Sequence, residues 1–336
     1  MSEILAGIQP VTEAFGPPLI ELAGVEKVYR TGKVSYRALR GVDLTIEAGD
    51  MVAIVGHSGS GKSTIMNMIT GIDRPTAGTI TVDGRRIDLM SEEELAVWRG
   101  ERVGVVFQFF QLLPTLTALE NAMLPLDFSR RVPRRERAPL ALHNLELVGL
   151  EDRGDSLPAE LSGGQQQRVG IARSLSTNPS LWLLDEPFSA LDPLIREEMQ
   201  DEILRLQITL SKTAVFVTHD FNEAARVGDR IALLRKGELV QTGSAAELIL
   251  NPADSYVRAF TASAERSRIL TAENFMQRGE PDAFDVQLEA EATLRRVAET
   301  FQGWASVIAF GNSTGRTVGF MRRQDLGDAL TSAMTA

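Results

Sequence analysis

A glycine-rich segment behind a short apolar run carries the clearest chemical signal in this sequence. The apolar run Met51–Val55 is followed by GHSGSGKST at residues 56–64, in the order of strand, glycine turn and helix that is typical of phosphate-binding loops. Glycines let backbone N–H groups approach phosphate oxygens and adopt positive φ, and the anion then lies at a helix N-terminus. The residues predicted to hold the phosphates are Gly56, Ser58, Gly59, Ser60, Gly61, Lys62, Ser63 and Thr64.

This segment predicts that the chain binds a nucleoside triphosphate. Lys62 can reach the β- and γ-phosphates, and the hydroxyl of Ser63 can bind a Mg²⁺ ion that bridges them. His57 fills a variable position of the loop, and we expect its side chain to point to solvent.

A pair of carboxylates follows a second apolar run, residues 181–184. A carboxylate at the end of a buried strand can hold the shell of a Mg²⁺ ion, and a second one can orient water. We assign Asp185 to the metal and Glu186 to the general base. The predicted chemistry is phosphoryl transfer to water.

A second anion-binding corner is indicated by LSGGQ at residues 161–165. It offers the Ser162 hydroxyl and the N–H groups of Gly163 and Gly164 at the start of a helix. One chain does not need two such corners for one phosphate. Taken alone, the segment is equally compatible with a helix cap and a tight turn.

Composition narrows the classes of protein that remain. The chain has 336 residues, 43% of them hydrophobic, which is enough for one large or two modest domains. It has no cysteine, which excludes disulfides and thiol chemistry, and its net charge of -10 does not favour nucleic acid as a partner. No apolar run of about 18 residues and no secretion signal are present, so we expect a membrane role to depend on another subunit.

The pattern of elements predicts an α/β fold. Strands are expected within residues 19–54 and at 80–82 and 103–107, helices at 62–70 and within 118–150, and buried parallel strands at 181–184 and 214–217. The tail predicts a helix at 293–301 and strands at 305–310 and 317–321 before a last helix. We divide the chain into an extension (residues 1–18), a main domain (19–263), and a linker with a small C-terminal regulatory or dimerisation domain (264–336).

With further motifs in the same order, residues 19–260 resemble the ATP-binding subunit of an ATP-binding cassette (ABC) transporter. The resemblance implies a P-loop nucleotide-binding domain with a mixed sheet and a helical subdomain, which binds ATP and Mg²⁺. It implies that Tyr29 stacks on adenine, that Gln108 reaches the metal and the attacking water, and that His219 contacts the γ-phosphate. It also implies a head-to-tail homodimer, in which the partner's site is completed by Ser162, Gly163, Gly164 and Gln165 and the two sites are linked by the loop that ends at Asp192.

Two sets of segments point to different transporters. Residues 30–41 and 107–114 are similar to lipoprotein-release and macrolide-export systems, whereas residues 190–202 and 251–260 resemble glycine betaine and proline importers. The second set is longer, so we expect import of a betaine-like osmolyte, with lipid or lipoprotein extrusion as the alternative. A soluble cassette protein acting on nucleic acid is a further alternative, disfavoured by the acidity of the chain.

Residues 284–329 resemble a single cystathionine-β-synthase (CBS) type motif. Arg322 stands three residues before Asp325, where that motif commonly has the Thr or Ser that touches a ribose. We therefore expect the tail to hold the cassette dimer together, with nucleotide or salt sensing as the alternative.

An apolar cluster next to Gln108 predicts a docking groove for separate transmembrane permease subunits. Its members are Phe109, Phe110, Leu112 and Leu113. The expected location is the cytoplasmic face of the cell membrane, as a peripheral subunit, in a system that can include a substrate-binding protein.

Overall fold

The computed structural model describes residues 18–129, 131–303 and 305–335. The predicted extension, apart from residue 18, lies outside the described residues. Fourteen strands are present in the described ranges: β1 (Ile20–Thr31), β2 (Val34–Ile46), β3 (Met51–Val55), β4 (Ala77–Val82), β5 (Arg85–Arg86), β6 (Val103–Val106), β7 (Leu181–Asp185), β8 (Thr213–Thr218), β9 (Arg230–Arg235), β10 (Glu238–Gly243), β11 (Gln277–Arg278), β12 (Val286–Glu289), β13 (Val307–Gly311) and β14 (Thr317–Arg322).

Helices connect these strands and cover their faces. Within the same described ranges they are α1 (Lys62–Ile69), α2 (Glu92–Arg102), α3 (Ala118–Ser129), α4 (Arg134–Leu147), α5 (Gly163–Leu175), α6 (Pro193–Leu210), α7 (Phe221–Val227), α8 (Ala245–Leu250), α9 (Ser255–Phe260), α10 (Arg266–Ile269), α11 (Leu294–Gln302) and α12 (Arg323–Thr335). None of the helices in these ranges is long and apolar enough to cross a bilayer.

The central sheet has the strand order β10-β9-β3-β8-β7-β6. Its strands run parallel except for β10, which forms an antiparallel pair with β9. Every residue of β3 and β8 is buried, which explains their continuous apolar runs, because both faces of a parallel sheet are covered. The register pairs Val55 with Thr218 and Asp185 with Val217. The residues that follow these strands therefore meet at one edge of the sheet.

An antiparallel sheet of order β2-β1-β4-β5 lies beside the central sheet. Its hairpin β1–β2 places Tyr29 opposite Tyr36. The second apolar cluster of the chain joins the inward side chains of this sheet to one face of the central sheet. The predicted strands in residues 19–54 are confirmed.

A helical part follows β6, in which α3 packs against both α4 and α5. The predicted helices within residues 118–150 are confirmed as α3 and α4, and the helix expected at the two glycines is α5. A mixed sheet with a helical part is the fold that the motifs implied.

The C-terminal residues form a sheet of order β11-β14-β13-β12 with α11 and α12. The helix expected at 293–301 and the strands expected at 305–310 and 317–321 are confirmed as α11, β13 and β14. Apolar side chains on both sides of residue 264, such as Phe260 and Leu270, belong to one cluster of buried residues. The division of the chain into three parts stays a prediction.

Candidate active site

The phosphate-binding loop owes its shape to three glycines. Gly56, Gly59 and Gly61 have φ of 154, 76 and 111°, values that favour glycine. A Cβ atom on Gly56 would lie 2.5 Å from the Leu234 carbonyl oxygen and 2.6 Å from Ser60 Oγ. The loop is so tight at Gly56 that a residue with a side chain would not fit there, and it leads directly into α1, which begins at Lys62.

Lys62 folds back across the loop that precedes it. Its ammonium group donates a hydrogen bond to the Gly56 carbonyl oxygen at 2.7 Å. Burial lowers the pKa of Lys62, and the negative charges of Glu186 and Asp185 oppose that shift. The lysine side chain is therefore held in place by the loop, where it interacts with the charges of two carboxylates.

The carboxylates at the end of β7 have distinct surroundings. Burial raises the pKa of Asp185, the charge of Glu186 adds to the shift, and Lys62 opposes it. Glu186 adopts a positive φ of 44°, which is uncommon for a side-chain-bearing residue, and its N–H donates to the Val217 carbonyl oxygen at 2.9 Å. This turn directs Glu186 away from the strand and towards the phosphate loop.

His219 lies beside Glu186, with its Nδ1 3.2 Å from Glu186 Oε2. Both residues, Tyr36 and residues 57–64 of the loop line one cleft of about 600 Å³. A buried lysine, the Glu186 carboxylate and an imidazole therefore converge at a phosphate-binding loop, and Asp185 interacts electrostatically with the same lysine. Such a set of groups is suited to hydrolysis of a phosphoanhydride.

Sequence reasoning missed Tyr36, whose hydroxyl donates to the Gly59 carbonyl oxygen at 3.3 Å. Its pairing opposite Tyr29 in the hairpin is the signal that could have found it. Tyr29 is not among the described residues that line the cleft. Its ring is partly exposed and lies 4.9 Å from the Lys27 ammonium group, so its stacking on adenine stays a prediction.

The second anion-binding corner is a capped helix terminus within this chain. Ser162 Oγ accepts a hydrogen bond from Gln165 N at 3.3 Å, and Gln165 Oε1 accepts one from Ser162 N at 2.9 Å. The described residues that line the cleft do not include Ser162, Gly163, Gly164 or Gln165. Ser162 and Gly163 are exposed instead.

Four other predicted site residues, Gly56, Gln108, Asp185 and Asp192, are also not among the described residues that line the cleft. Asp192 caps α6 and accepts a hydrogen bond from Ile195 N at 3.2 Å. Gln108 is half-buried just beyond β6. The structure does not test the roles implied for Asp192 or Gln108.

His57 is exposed, as expected, but its ring is not free of contacts. Its ring makes edge contacts with Tyr256 and Phe260 of α9, at centroid distances of 5.8 and 5.2 Å. Two aromatic rings more than a hundred residues downstream therefore support the phosphate loop.

The apolar cluster after β6 divides into two pairs. Phe109 and Leu113 are 69% and 47% exposed, whereas Phe110 and Leu112 pack against the core. Phe109 and Leu113 are therefore at the surface and Phe110 and Leu112 are partly buried, and the docking groove formed by the four residues stays a prediction. Arg173 of α5 holds this turn, because its guanidinium donates to the carbonyl oxygens of Phe110 and Gln111 at 2.8 and 2.7 Å.

Comparison with known proteins places these features in context. A protein-family model described as ABC transporter matches residues 39–189. The trimethylamine N-oxide transport system ATP-binding protein TmoW of Ruegeria pomeroyi is 41% identical over 95% of this chain and 98% of its own length. The glycine betaine/proline betaine transport system ATP-binding protein ProV of Escherichia coli is 44% identical over 71% of this chain and 60% of its own length. Among solved structures, the dimeric ATP-binding cassette MJ0796 bound to ADP and Pi is 41% identical, covers 67% of this chain and 98% of its own, and has a TM-score of 0.62.

Proposed function

We propose that this chain powers the import of a small methylated amine osmolyte. The premise is that the chain belongs to the ABC transporter family and is an ATP hydrolase of that family. Trimethylamine N-oxide and glycine betaine are the leading candidates, because relatives that transport them match the chain at 41% and 44% identity. The sequence alone had favoured betaine, and the match to TmoW over nearly the whole chain brings in the N-oxide. The relatives do not support the alternative of lipid or lipoprotein extrusion.

The cargo can be tested through the ATPase activity. We expect the chain, reconstituted in vesicles with its membrane subunits and a solute-binding protein, to hydrolyse ATP faster when one of these amines is added. Proline, a macrolide and a lipoprotein serve as comparison solutes. Stimulation by the macrolide or the lipoprotein alone would contradict import of an osmolyte.

The observation that supports an ATPase most directly is the placing of Glu186 and His219 against the phosphate loop. We assign Glu186 as the general base that orients the attacking water, and His219 as the residue that contacts the γ-phosphate and holds Glu186 through Nδ1. Glu186→Gln should bind ATP and hydrolyse it at least roughly 100-fold more slowly, since general-base catalysis contributes about 10²–10⁴-fold. Hydrolysis by this variant at a near-normal rate would refute the assignment.

Mg²⁺ fits the chemistry of the residues proposed to hold it. The candidate ligands Ser63, Gln108 and Asp185 supply hydroxyl, amide and carboxylate oxygens, which suit a hard cation. In the described part of the chain no group of three or more His, Asp or Glu residues could hold a metal alone. This agrees with an ion that takes most of its ligands from phosphates and water. When bound, it would neutralise the charge that develops on the phosphates.

We further propose that each ATP lies between two copies of the chain, with the Ser162 corner of one facing the Lys62 loop of the other. The exposure of Ser162 and Gly163, and their absence from the lining of the cleft in their own chain, support this arrangement. In the Glu186→Gln background, Ser162→Arg should leave ATP binding by the single chain intact and abolish ATP-dependent dimerisation in sedimentation. An equal loss of ATP binding by the single chain would place the corner in its own site.

Ser91 provides a matched control for that experiment. It caps α2 with the same reciprocal arrangement, since its Oγ accepts from Glu94 N at 3.3 Å and Glu94 accepts from Ser91 N. Ser91→Arg should cost a similar amount of helix stability, about 0.5–2 kcal/mol, and leave dimerisation unchanged.

The membrane subunits would dock at Phe109 and Leu113, the two exposed members of the apolar cluster. This would place the chain on the cytoplasmic face of the membrane as a peripheral subunit. Phe109→Asp should reduce solute-stimulated transport and leave the ATPase of the isolated chain unchanged. Ile208, which is 70% exposed on α6, gives the control Ile208→Asp, and equal effects of the two variants would contradict the docking assignment.

The C-terminal unit, with its CBS-like order of elements, would support the cassette dimer. In the Glu186→Gln background, a chain that ends at residue 263 should dimerise more weakly with ATP than the full chain. Equal dimerisation would favour the alternative, a sensing role.

A further inference from the structure

Glu223 is a buried carboxylate that the predicted chemistry does not use. It lies on α7, immediately after the segment that carries His219, and only 9% of it is exposed. Its Oε2 accepts a hydrogen bond from the Thr218 hydroxyl at 2.6 Å. The same Thr218 oxygen accepts a hydrogen bond from Asp220 N at 3.1 Å. Glu223 therefore holds the Thr218 side chain, which in turn holds the backbone N–H that directly follows His219.

The other carboxylate oxygen faces a cation from a different element. Arg196 of α6 places its Nε 3.6 Å from Glu223 Oε1. Its Nη2 donates to the carbonyl oxygen of Leu191 at 3.2 Å. Leu191 belongs to the loop 189–192 that ends at Asp192. One guanidinium thus lies between the carboxylate behind His219 and the loop predicted to reach the partner's site.

The contact between Arg196 and Glu223 is incomplete in this state. Hydrogen bonds between a guanidinium and a carboxylate are about 2.7–2.9 Å long, so the 3.6 Å separation is an ion pair without a hydrogen bond. The Nε atom is nevertheless buried and has no hydrogen-bond partner in the described part of the chain. A shift of α6 or its loop by less than an ångström would bring Nε and Oε1 within hydrogen-bond distance or separate them further.

We propose that Glu223 and Arg196 are positioning residues that couple His219 to the loop 189–192, so that the two move together when the site closes. The proposal rests on the two-chain site described above, because only in such a site does the loop 189–192 lie near a phosphate that is bound by the partner. It assigns no new group to the reacting atoms. A change at one site would reach the histidine of the other through Leu191, Arg196, Glu223 and Thr218.

A double-mutant cycle in ATP hydrolysis tests this coupling. Glu223→Gln keeps an acceptor for Thr218 and removes the charge opposite Arg196, and Arg196→Met removes the cation. We expect each change to lower kcat about 10-fold and to leave KM for ATP within about 2-fold, because the phosphate loop that binds ATP is untouched. Residues in one network couple non-additively. The double variant should be no slower than the slower single variant, and Arg196→Lys should recover part of the rate.

Arg226 supplies the matched control. It lies on α7 as Glu223 does, but its guanidinium pairs with Asp201, at 2.8 Å, on the exposed side of α6. Arg226→Met should leave kcat unchanged. Additive effects in the cycle, unchanged kcat in Glu223→Gln, or a rise in KM that equals the loss of rate would each overturn the proposal.

A folding defect and a failure of the two-chain site can each be recognised separately. If Glu223→Gln does not fold, the comparison of Arg196→Lys with Arg196→Met carries the test, and equal rates for these two would contradict the coupling. If the Glu186→Gln chain does not dimerise with ATP, the two-chain site itself is wrong. If it dimerises normally and the cycle is additive, only the coupling is wrong.

Discussion

Gly163→Ala, at the start of α5, should have separate effects on two quantities. One is the stability of the single chain, and the other is ATP hydrolysis in the proposed two-chain site. Gly163 is the first residue of α5 and does not have a positive φ. An added Cβ would lie 3.9 Å from Phe110 Cζ and 4.0 Å from Leu191 Cδ2, which are ordinary contacts. The single chain should therefore accept alanine and gain about 0.4–1 kcal/mol, since the unfolded chain loses freedom.

The effect on hydrolysis should have the opposite sign. If the backbone at Gly163 faces a phosphate of the partner's site, the new methyl group stands in the approach of that phosphate. Loss of one hydrogen bond to a charged group costs about 1.5–3 kcal/mol. Converted at about 1.4 kcal/mol per factor of ten, this gives a fall in kcat/KM of roughly 10- to 150-fold.

The assay is steady-state ATP hydrolysis at a chain concentration that permits dimerisation, together with thermal unfolding of the same samples. Gly100→Ala in α2 is the control, because no atom lies within 4 Å of the added Cβ. It should raise the melting temperature without changing the rate. Normal hydrolysis by Gly163→Ala would refute the contact with a phosphate. A lower melting temperature would show that the alanine side chain does not fit within the single chain.

Three further predictions concern the nucleotide base, the core and a buried carboxyl. Tyr29→Ala should raise KM for ATP by roughly 5- to 150-fold while Tyr29→Phe changes it little, because stacking of a base on a ring contributes about 1–3 kcal/mol; equal effects of the two would contradict stacking. Trp182→Phe should lower the free energy of unfolding by about 1–3 kcal/mol in denaturant titrations, because Trp182 is fully buried and its Nε1 donates to Ser174 Oγ at 2.8 Å; an unchanged midpoint would show that neither matters. Burial raises the pKa of Glu223, with Asp220 adding to the shift and the Thr218 hydrogen bond, Arg196 and His219 opposing it. The stability that protonated Glu223 contributes is therefore fully present below the ordinary pKa of about 4.3 and is lost as the pH rises through the raised pKa. The melting temperature of Glu223→Gln minus that of the native chain should consequently increase from pH 4 to pH 8. A decrease in this difference would contradict the sign of the shift.

The sequence alone predicts the phosphate loop and the strands that carry it because both depend on local pattern. A strand buried on both faces must be apolar throughout, as β3 and β8 are, and the loop after β3 must contain glycine where φ is positive. The prediction of Asp185 and Glu186 rests on the same logic, a pair of acids at the end of a buried strand. These features can be read within a window of about ten residues.

Contacts between distant segments could not be predicted in the same way. The 3.2 Å contact between Glu186 and His219 follows from the register of β7 on β8, which no local pattern specifies. The rings of Tyr256 and Phe260 reach His57 only because α9 packs beside the phosphate loop. The strands β5, β9, β10, β11 and β12 were not predicted. β5 and β11 have two residues each, and the residues of β10 and β12 are mostly partly buried or exposed, so these strands have no continuous apolar run. β9 does contain a buried apolar run at residues 231–234, as long as the run predicted in β7.

The two interpretations of the Ser162 corner, a helix cap and an anion site, are compatible in one structure. A serine hydroxyl has one donor proton and two acceptor lone pairs, and the cap uses only a lone pair, in the hydrogen bond from Gln165 N. The proton remains for a phosphate oxygen. The first N–H groups of α5 have no partner inside the helix, and the capping box satisfies those of Ser162 and Gln165, which leaves donors at Gly163 and Gly164 for an anion. Ser162 and Gly163 are exposed and the corner lies outside the cleft of its own chain, which supports the proposal that these donors face a triphosphate held by another copy.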